Sequence, residues 1–387
     1  MSFELLVALL VLAIWIYLLL FRGWFWLGRE SDAIDAPSMP QGGPSPRVAA
    51  VVPARDEAAV LPQSLPSLLA QDYTPPLTVI VVDDQSEDGT FAVARHIGSA
   101  AGREVVVLRG APRPPGWTGK VWAMQQGIAH AAAMPDPPHY LLLTDADISY
   151  SPDALRHLVA RARSGGLVLT SLMAKLNCAS LAERALIPAF IFFFQMLYPF
   201  AWVGRTSKRT AAAAGGCMLV ERRALERAGG MAAIRDALID DCALAAVLKA
   251  EGPIWLGLTE RVVSLRPYPR VDDIRRMVSR SAYAQLRYSP LMLAGTVAGL
   301  ALTFLAAPLL AIFAGYPSWG FGVAAWGLMT IAFQPTLRFY RLSPLWGPVL
   351  PLIAAAYLAF TVDSAYQHWR GRGGMWKGRA QAQPEKR

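Results

Sequence analysis

Between residues 47 and 173 the sequence alternates short apolar runs with longer amphipathic segments. Apolar runs of this length are typical of strands buried on both faces, and their alternation with helices predicts a mostly parallel sheet. The predicted strands are Arg47–Pro53, Leu77–Val82, Glu104–Leu108, Tyr140–Thr144 and Leu167–Met173. The predicted helices are Glu57–Ala70, Thr90–Ser99, Val121–Ala133 and Pro152–Ser164. Ligands of such α/β sheets bind beyond the carboxyl ends of the strands, so residues that follow a strand are site candidates.

Apolar residues make up 54% of the 387 residues, and much of this excess lies in membrane-like blocks outside the α/β pattern. Phe3–Phe21 carries one charge, Glu4, and about 20 helical residues cross a bilayer. Arg22 and tryptophans follow it, which favours an uncleaved transmembrane anchor over residues 1–22 with the following domain in the cytosol. The Pro-, Gly- and Ser-rich stretch 31–46 is predicted to be a linker to a domain over 47–289.

The character of the sequence changes again near residue 290. Residues 290–366 contain about three further predicted spans, Leu291–Tyr316, Trp319–Leu337 and Leu345–Val362, followed by a basic tail, 367–387. An odd number of spans after a cytosolic domain would place this tail outside the cytosol. The arginines and lysines of the tail favour the cytosolic side instead, and we expect a cytosolic tail. The expected location is therefore a bacterial inner membrane, with several crossings.

Two internal segments are predicted to lie at the membrane surface. Ala185–Val203 is as apolar as a span but contains Pro188, Gln195 and Pro199, and acidic motifs that must converge flank it. We therefore expect residues 181–204 to be interfacial, although a buried core helix is the alternative. Asp272–Arg287 is expected to place Ile274, Met277 and Val278 toward lipid and Arg275, Arg276 and Arg280 toward headgroups. The two segments are expected to flank a groove for a lipid acceptor.

The net charge of +9 is explained by basic residues beside apolar segments, which favours anionic lipid headgroups as partners and not nucleic acid. The three cysteines, Cys178, Cys217 and Cys242, form no CxxC pair, and the five histidines show no metal-ligand spacing. This composition argues against a disulfide framework or a structural zinc site.

Three acidic clusters follow predicted strands or begin a helix. They are Val81–Thr90 (VVDDQSEDGT), Thr144–Asp147 (TDAD) and Ile239–Asp241 (IDD). Transfer of a sugar from a nucleoside diphosphate needs a divalent cation on the diphosphate and a carboxylate that takes the proton of the acceptor hydroxyl. Each cluster alone is equally consistent with a helix cap or a solvated turn. The absence of a P-loop and of a GxGxxG after a strand disfavours a kinase, an NTPase or a dehydrogenase.

The order PARDE (53–57), VVDDQSEDGT, TDAD, GGCMLV (215–220) and IDD resembles the inverting family 2 glycosyltransferases with the GT-A fold. Three longer strings, GWTGKVWAMQQG (116–127), IPAFIFFFQMLYPF (187–200) and LRYSP (286–290), resemble the bacterial membrane glycosyltransferases associated with hopanoid biosynthesis. The resemblance covers roughly residues 1–300. It implies a Rossmann-like GT-A domain of the α/β class, with a mostly parallel sheet, joined to transmembrane helices.

The resemblance also implies roles for individual residues. Asp241 would be the general base with Asp240 beside it, and Asp147 with Asp145 would hold Mg²⁺ or Mn²⁺. The donor, expected to be a UDP-sugar, would contact Pro53, Arg55, Glu57, Asp83, Asp84, Lys120, Asp145, Gly215, Gly216 and Arg287.

Several of these roles have structural alternatives. Lys120 suits an exposed lysine at a helix start as well as it suits a phosphate contact. A β-bulge is the alternative for the two glycines, and a carboxylate pair favoured by the helix dipole is the alternative for Asp240 and Asp241. The sequence departs from the family where many membrane relatives carry Gln-x-x-Arg-Trp, since Ala284–Tyr288 (AQLRY) has alanine and tyrosine at two positions.

The sequence leaves three hypotheses about the function. The favoured acceptor is a hopanoid hydroxyl, and a polyprenyl phosphate is the close alternative. A non-catalytic scaffold that binds nucleotide sugar or lipid is the alternative from another class. The number of spans disfavours a polysaccharide synthase.

Overall fold

The computed structural model describes residues 2–33, 46–74, 76–376 and 379–380. The chain divides into two compact units. The apolar unit comprises residues 1–29, 177–201 and 267–374, and the sheet unit comprises residues 30–176, 202–266 and 375–387. Residues 377–378 and 381–387 of the predicted basic tail, like residues 34–45 of the predicted linker, lie outside the described residues.

Strands and helices alternate through the first part of the sheet unit, as the sequence predicts. The strands are β1 (Val48–Ala54), β2 (Leu77–Asp83), β3 (Val105–Arg109), β4 (Tyr140–Leu143), β5 (Ile148–Tyr150), β6 (Leu169–Lys175), β7 (Met218–Glu221), β8 (Ile254–Ser264), β9 (Met375–Trp376) and β10 (Arg379–Ala380). The helices of the whole chain are α1 (Phe3–Leu20), α2 (Leu61–Leu69), α3 (Thr90–Ser99), α4 (Gly119–Ala132), α5 (Ala154–Gly165), α6 (Leu181–Leu197), α7 (Phe200–Val203), α8 (Arg222–Arg227), α9 (Asp240–Glu251), α10 (Val271–Ser279), α11 (Ala282–Gln285), α12 (Pro290–Leu300), α13 (Ala306–Phe313), α14 (Ser318–Phe339) and α15 (Leu350–Trp369).

Eight strands form one sheet in the order β3-β2-β1-β4-β7-β6-β8-β5. The pairs β3–β2, β2–β1, β1–β4 and β6–β8 are parallel, whereas β7 runs antiparallel to both of its neighbours and β5 is antiparallel to β8. Every residue of β1 and β2 is buried, which is the burial expected for parallel strands covered on both faces. The predicted α/β class with a mostly parallel sheet is confirmed.

The strands that the sequence analysis did not identify lie in the second half of the sheet. β5 has three residues and β7 has four, which is too short for a recognisable apolar run. β8 has eleven residues, but Thr259, Glu260 and Arg261 interrupt its apolar pattern. β6 pairs with Ile254–Leu258 and again with Val263, and the polar centre of β8 lies at an irregularity between these paired residues, so the flanking residues hold β8 in the sheet.

The start of the predicted linker is part of the sheet unit. The amide of Asp32 donates to the carbonyl of Leu258 at 3.1 Å, and the amide of Leu258 donates to the carbonyl of Glu30 at 2.8 Å. The side chain of Asp32 accepts from the hydroxyl of Thr259 at 2.6 Å and pairs with Arg261 at 3.3 Å. Ser31 and Asp32 therefore extend the sheet and do not belong to a free linker.

Among the described residues, three helical segments are long and apolar enough to cross a membrane: Phe3–Leu20, Leu181–Val203 and Pro290–Phe313. The first and third coincide with predicted spans. The second is the segment that the sequence analysis placed in the interface. Helices α14 and α15 form where spans were expected, but neither is apolar enough to be a candidate membrane span by the same criterion. In α15, polar residues such as Asp363 and Gln367 occupy the second half of the helix.

Helix α6 is packed inside the apolar unit over much of its length. Phe192 is fully buried against Phe25 and Phe333, and Phe193 packs edge-on against Phe304 and Tyr357. The hydroxyl of Tyr357 also donates to the carbonyl of Leu186 at 2.8 Å. These contacts favour the core interpretation for this face of α6.

The expected orientation of α10 is wrong for Ile274, which was predicted to face lipid, and Arg275, predicted to face headgroups, makes an ion pair within the protein. Ile274 is fully buried within the apolar unit, and Arg275 forms a short ion pair with Asp363 of α15. The hydroxyl of Ser279 donates to Asp363 at 2.8 Å. The carboxylate of Asp363 needs these partners because it lies in an apolar helix, so α10 is bound to α15 and exposes Arg276 and Arg280.

Candidate active site

The two loops that follow β1 and β2 are joined by hydrogen bonds. The guanidinium of Arg55 is buried and donates to the carbonyl of Asp84 at 2.6 Å and to that of Gln85 at 3.2 Å. The amide of Asp56 donates to the hydroxyl of Ser86 at 3.0 Å, and the carboxylate of Asp56 accepts from the amide of Glu87 at 2.9 Å. The two predicted nucleoside-binding segments are thus connected to each other, and the buried Arg55 is one of the residues that connect them.

The acidic residues that close β2 are buried. Asp83 accepts from the amide of Ser86 at 3.2 Å, and Asp84 lies 3.9 Å from the Nη1 of Arg55. Pro53, in β1, is opposite Val82 of β2. The sequence analysis expected all three to contact the donor, and the structure places them at the same edge of the sheet as Glu57.

Lys120 joins two of the acidic clusters. It is the second residue of α4, and its Nζ lies 2.8 Å from Asp145 and 3.3 Å from Asp240. Burial lowers its pKa, but the charges of Asp145 and Asp240 outweigh burial and raise the pKa above its ordinary value. Lys120 is therefore a charged group at the centre of the site, and the exposed-lysine alternative is wrong.

Asp241 is held at the start of α9 by backbone amides. Its Oδ2 accepts from the amide of Gly215 at 2.9 Å, and its Oδ1 accepts from the amide of Cys242 at 2.7 Å. Burial and the neighbouring charge of Asp240 raise its pKa to about 6, against the lowering effect of Lys120. A carboxylate with such a pKa is ionised near neutral pH and accepts a proton more readily than an ordinary aspartate, as a general base requires.

The two glycines have different surroundings. A Cβ at Gly215 would lie 3.2 Å from the Nζ of Lys120 and 3.4 Å from the Oδ2 of Asp241. A Cβ at Gly216 would instead meet Ile148 at 3.0 Å and Ala174 at 3.3 Å. Gly215 therefore lets the backbone approach the charged groups of the site, whereas Gly216 lets the strands pack.

The sequence analysis missed Arg266. Its Nε lies 2.8 Å from the Oδ2 of Asp147, and its Nη2 lies 2.9 Å from the Oε1 of Glu57. Arg266 follows β8 by two residues, so recognition of β8 would have made it a candidate under the rule that site residues follow strands. Lys120 and Arg266 together connect Glu57, the TDAD cluster and the IDD cluster.

The donor set at TDAD fits a hard divalent cation. Within the described residues no group of three or more histidine, cysteine or acidic side chains converges as a complete metal-binding set. Mg²⁺ and Mn²⁺ sites of phosphate-transferring proteins need only one or two carboxylates, because substrate phosphates and water complete the coordination. Asp145 and Asp147 satisfy this requirement, and the side chain of Asp145 is 37% exposed.

Arg287 lies in the apolar unit, between α11 and α12, and is exposed. Arg287 and Tyr288 both have left-handed backbone angles, with φ of 52° and 55°, which is a strained arrangement for two consecutive non-glycine residues. The predicted contact between Arg287 and the donor stays a prediction.

A family model described as "Glycosyltransferase like family 2" matches residues 46–255, which is more than half of the chain. The chain belongs to glycosyltransferase family 2. The match begins just before β1 and ends within β8, so it contains all three acidic clusters of this family 2 chain.

Solved structures resemble this family 2 chain over most of its length. The mannosyltransferase PcManGT from Pyrobaculum calidifontis, solved with GDP-Man and Mn²⁺, is 20% identical with a TM-score of 0.57, and the match covers 94% of this chain and 99% of that one. The mannosyl-3-phosphoglycerate synthase from Rubrobacter xylanophilus is 17% identical with a TM-score of 0.38, covering 68% and 80%. The first likeness, with the family match, confirms the predicted GT-A fold.

Proposed function

We propose that this chain is an inverting, metal-dependent glycosyltransferase that moves a sugar from a nucleotide sugar to the hydroxyl of a membrane lipid, with a hopanoid as the favoured acceptor. The observation that carries the proposal is the position of Asp241, which is half-buried, bonded to the amide of Gly215 and close to Lys120, itself paired with TDAD. A scaffold that only binds a nucleotide sugar does not need a carboxylate with a raised pKa beside the donor site.

The residues of the site divide the chemistry among them. The loops after β1 and β2 bind the nucleoside, and Lys120 contributes a positive charge toward the diphosphate. Asp145 and Asp147 would hold Mg²⁺ or Mn²⁺, which when bound offsets the charge that develops on the leaving diphosphate. Asp241 takes the proton from the acceptor hydroxyl as that oxygen attacks the anomeric carbon, which inverts the configuration.

A lipid acceptor is supported by the apolar unit, which contains two of the three helices able to cross a membrane, while the third ends in the sheet unit. A bacterial inner membrane is the corresponding location. The route of the acceptor along residues 181–204 and 272–287 stays a prediction. The fold neighbour was solved with GDP-Man, so GDP-mannose joins the UDP-sugars as a candidate donor.

A polyprenyl phosphate is the second candidate acceptor, because one exposed basic loop favours it. Arg205, Lys208 and Arg209 are all exposed in the sheet unit, and Lys208 lies over the ring of Trp202 at 5.1 Å. The Nζ of Lys249 donates to the carbonyls of Val203 at 2.8 Å and Thr210 at 2.5 Å, which fixes the two ends of this loop. Three cations on a fixed loop suit a phosphate group or an anionic headgroup.

The test uses membranes that contain the protein, a panel of labelled nucleotide sugars that includes GDP-mannose, and mass spectrometry of the extracted lipids. We expect one sugar to be transferred to one lipid class, with a mass increase of one glycosyl unit. Hydrolysis-resistant lipid products indicate a hopanoid or similar alcohol, and acid-labile glycosyl phosphates indicate a polyprenyl phosphate. Absence of any glycosylated lipid across the panel would overturn the proposal.

A further inference from the structure

Arg266 has a position that the proposed transfer reaction does not by itself explain. The amide of Leu265 donates to the carbonyl of Asp147 at 2.8 Å, which fixes the chain after β8 beside the TDAD loop. The guanidinium of Arg266 then binds two carboxylates, since its Nε donates to Asp147 at 2.8 Å and its Nη2 donates to Glu57 at 2.9 Å. We call this two-carboxylate contact of Arg266 the fork. One guanidinium thereby links the nucleoside-binding loop after β1 to the carboxylate expected to bind the cation.

The burial of the three groups shows what the fork does electrostatically. The side chains of Asp147 and Glu57 are each 12% exposed, whereas that of Arg266 is 38% exposed. The two carboxylates have lost most of their water, so the guanidinium supplies the charge-assisted hydrogen bonds that they need. Because it is more exposed than they are, the guanidinium is the member of the fork that solvent can reach and rehydrate most easily.

The contacts of Arg266 also bear on the cation. The Oδ2 of Asp147 that accepts from Arg266 is an oxygen that Mg²⁺ or Mn²⁺ would use, and a second positive charge beside it repels a cation. Lys120 makes the corresponding contact with the Oδ1 of Asp145 at 2.8 Å. Without a donor, each TDAD carboxylate is therefore already paired with a cationic side chain of this chain.

We propose that Arg266 is a positioning residue that competes with the divalent cation for Asp147, so that the cation binds well only together with the diphosphate of the donor. The inference rests on the proposed function, in which TDAD holds the cation. The negative charge of a diphosphate compensates the positive charges of Arg266 and Lys120, and then the carboxylate no longer needs the fork. The same fork holds Asp147 and the Glu57 loop in place while no donor is bound.

The test is a titration of the purified full-length protein with Mn²⁺ alone, in which free Mn²⁺ is measured by electron paramagnetic resonance. Arg266→Gln should bind Mn²⁺ about tenfold more tightly than the wild type, because a charge-assisted competitor is lost. The double variant Arg266→Gln, Asp147→Asn should lose this gain. Arg261→Gln is the matched control, since Arg261 lies on β8 and pairs with Asp32 and Asp153, away from TDAD, and its titration should equal that of the wild type.

Unchanged or weaker Mn²⁺ binding by a folded Arg266→Gln variant would overturn the inference. If this variant does not fold, as judged by thermal unfolding, Arg266→Met keeps a long side chain without the charge and the same gain is expected. The titration needs no sugar transfer, so its failure and the failure of the proposed function are distinguishable. A tenfold gain in a protein that glycosylates no lipid would support the role of Arg266 and reject the acceptor class.

Discussion

Asp241 differs from the other carboxylates of the site in the partners that hold it. Asp145 and Asp147 pair with the cations Lys120 and Arg266, whereas both oxygens of Asp241 accept from backbone amides. Amide donors fix the position of a carboxylate without supplying a full charge, and burial beside Asp240 keeps its pKa raised. The sequence predicted Asp241 from a motif, but this distinction among four aspartates depends on contacts that no local pattern contains.

The raised pKa of Asp241 predicts an acid limb in the pH profile of kcat/KM. The base must be ionised to accept a proton, so the rate should fall as the pH drops through about 6 and level off above it. Asp240 contributes to the raised pKa, so Asp240→Asn should move this limb to lower pH. Asp236→Asn, an exposed carboxylate before α9, is the control and should leave the limb in place. A limb that does not move in Asp240→Asn would contradict the electrostatic account.

The adjacent glycines should respond differently to one added methyl group. Gly215→Ala places a Cβ against Lys120 and Asp241 and should lower turnover by about 10- to 100-fold, with little change in thermal unfolding. Gly216→Ala places a Cβ against Ile148 and Ala174 and should lower the free energy of unfolding by about 1–3 kcal/mol. Turnover and thermal unfolding of the two purified variants test this, and the same loss of stability in both would show that Gly215 has only a packing role.

At the scale of elements, the sheet constrains the segment that contains α6. β6 ends at Lys175 before this segment, β7 begins at Met218 after it, and the two strands are antiparallel neighbours. One complete crossing by Leu181–Val203 would put the two strands on opposite sides of a bilayer. A return between Gly204 and Cys217 would need non-helical backbone in hydrocarbon, which lipid does not tolerate. We therefore expect the segment to begin and end on the same side, although its length and composition suit a span.

This topology predicts the side on which two labels are found. In a variant with Cys217 and Cys242 replaced by alanine, Cys178 lies before α6, and Ser207→Cys introduces a thiol after it. Both thiols should resist a membrane-impermeant maleimide in intact cells and react once the cells are permeabilised. Labelling of only one of the two positions from outside intact cells would show that the segment crosses the membrane.

The elements that the sequence predicted best are those with a regular apolar pattern of their own. Helix α3 has the predicted bounds, and β1 and β2 agree with prediction within one residue, because parallel strands covered on both faces leave continuous apolar runs. β5, β7 and β8 were not recognised, because their stability depends on pairing with distant strands. Arg266 was missed for the same reason, since its place in the site is set by the end of β8.

At the scale of the whole molecule, the pattern of charge favours a metal that arrives with its substrate. The chain carries a net charge of +9, and Lys120 and Arg266 concentrate positive charge at the site itself. Because these two cations already pair with Asp145 and Asp147, a free divalent cation meets competition there until an anionic diphosphate arrives. The metal role of Asp145 and Asp147 stays a prediction, whereas their ion pairs with Lys120 and Arg266 became visible only in the folded chain.

Metal removal should therefore abolish sugar transfer. Thorough chelation should reduce lipid glycosylation to background, and Mg²⁺ or Mn²⁺ should restore it, because the oxygen ligands of Asp145 and Asp147 suit hard cations. Zn²⁺ at the same concentration should restore it poorly, since the site offers no histidine or thiolate ligand. Glycosylation that survives chelation would remove the metal from the mechanism.

The central claim is that Asp241 is the base in a transfer of sugar to lipid, and its most direct test compares wild-type protein with Asp241→Asn. The measurement is the rate at which label from the nucleotide sugar enters the lipid extract, with donor binding measured on the same preparations. We predict a rate lower by about 10²- to 10⁴-fold with donor affinity almost unchanged, because only proton abstraction is lost. Near wild-type transfer by the folded variant would contradict the account.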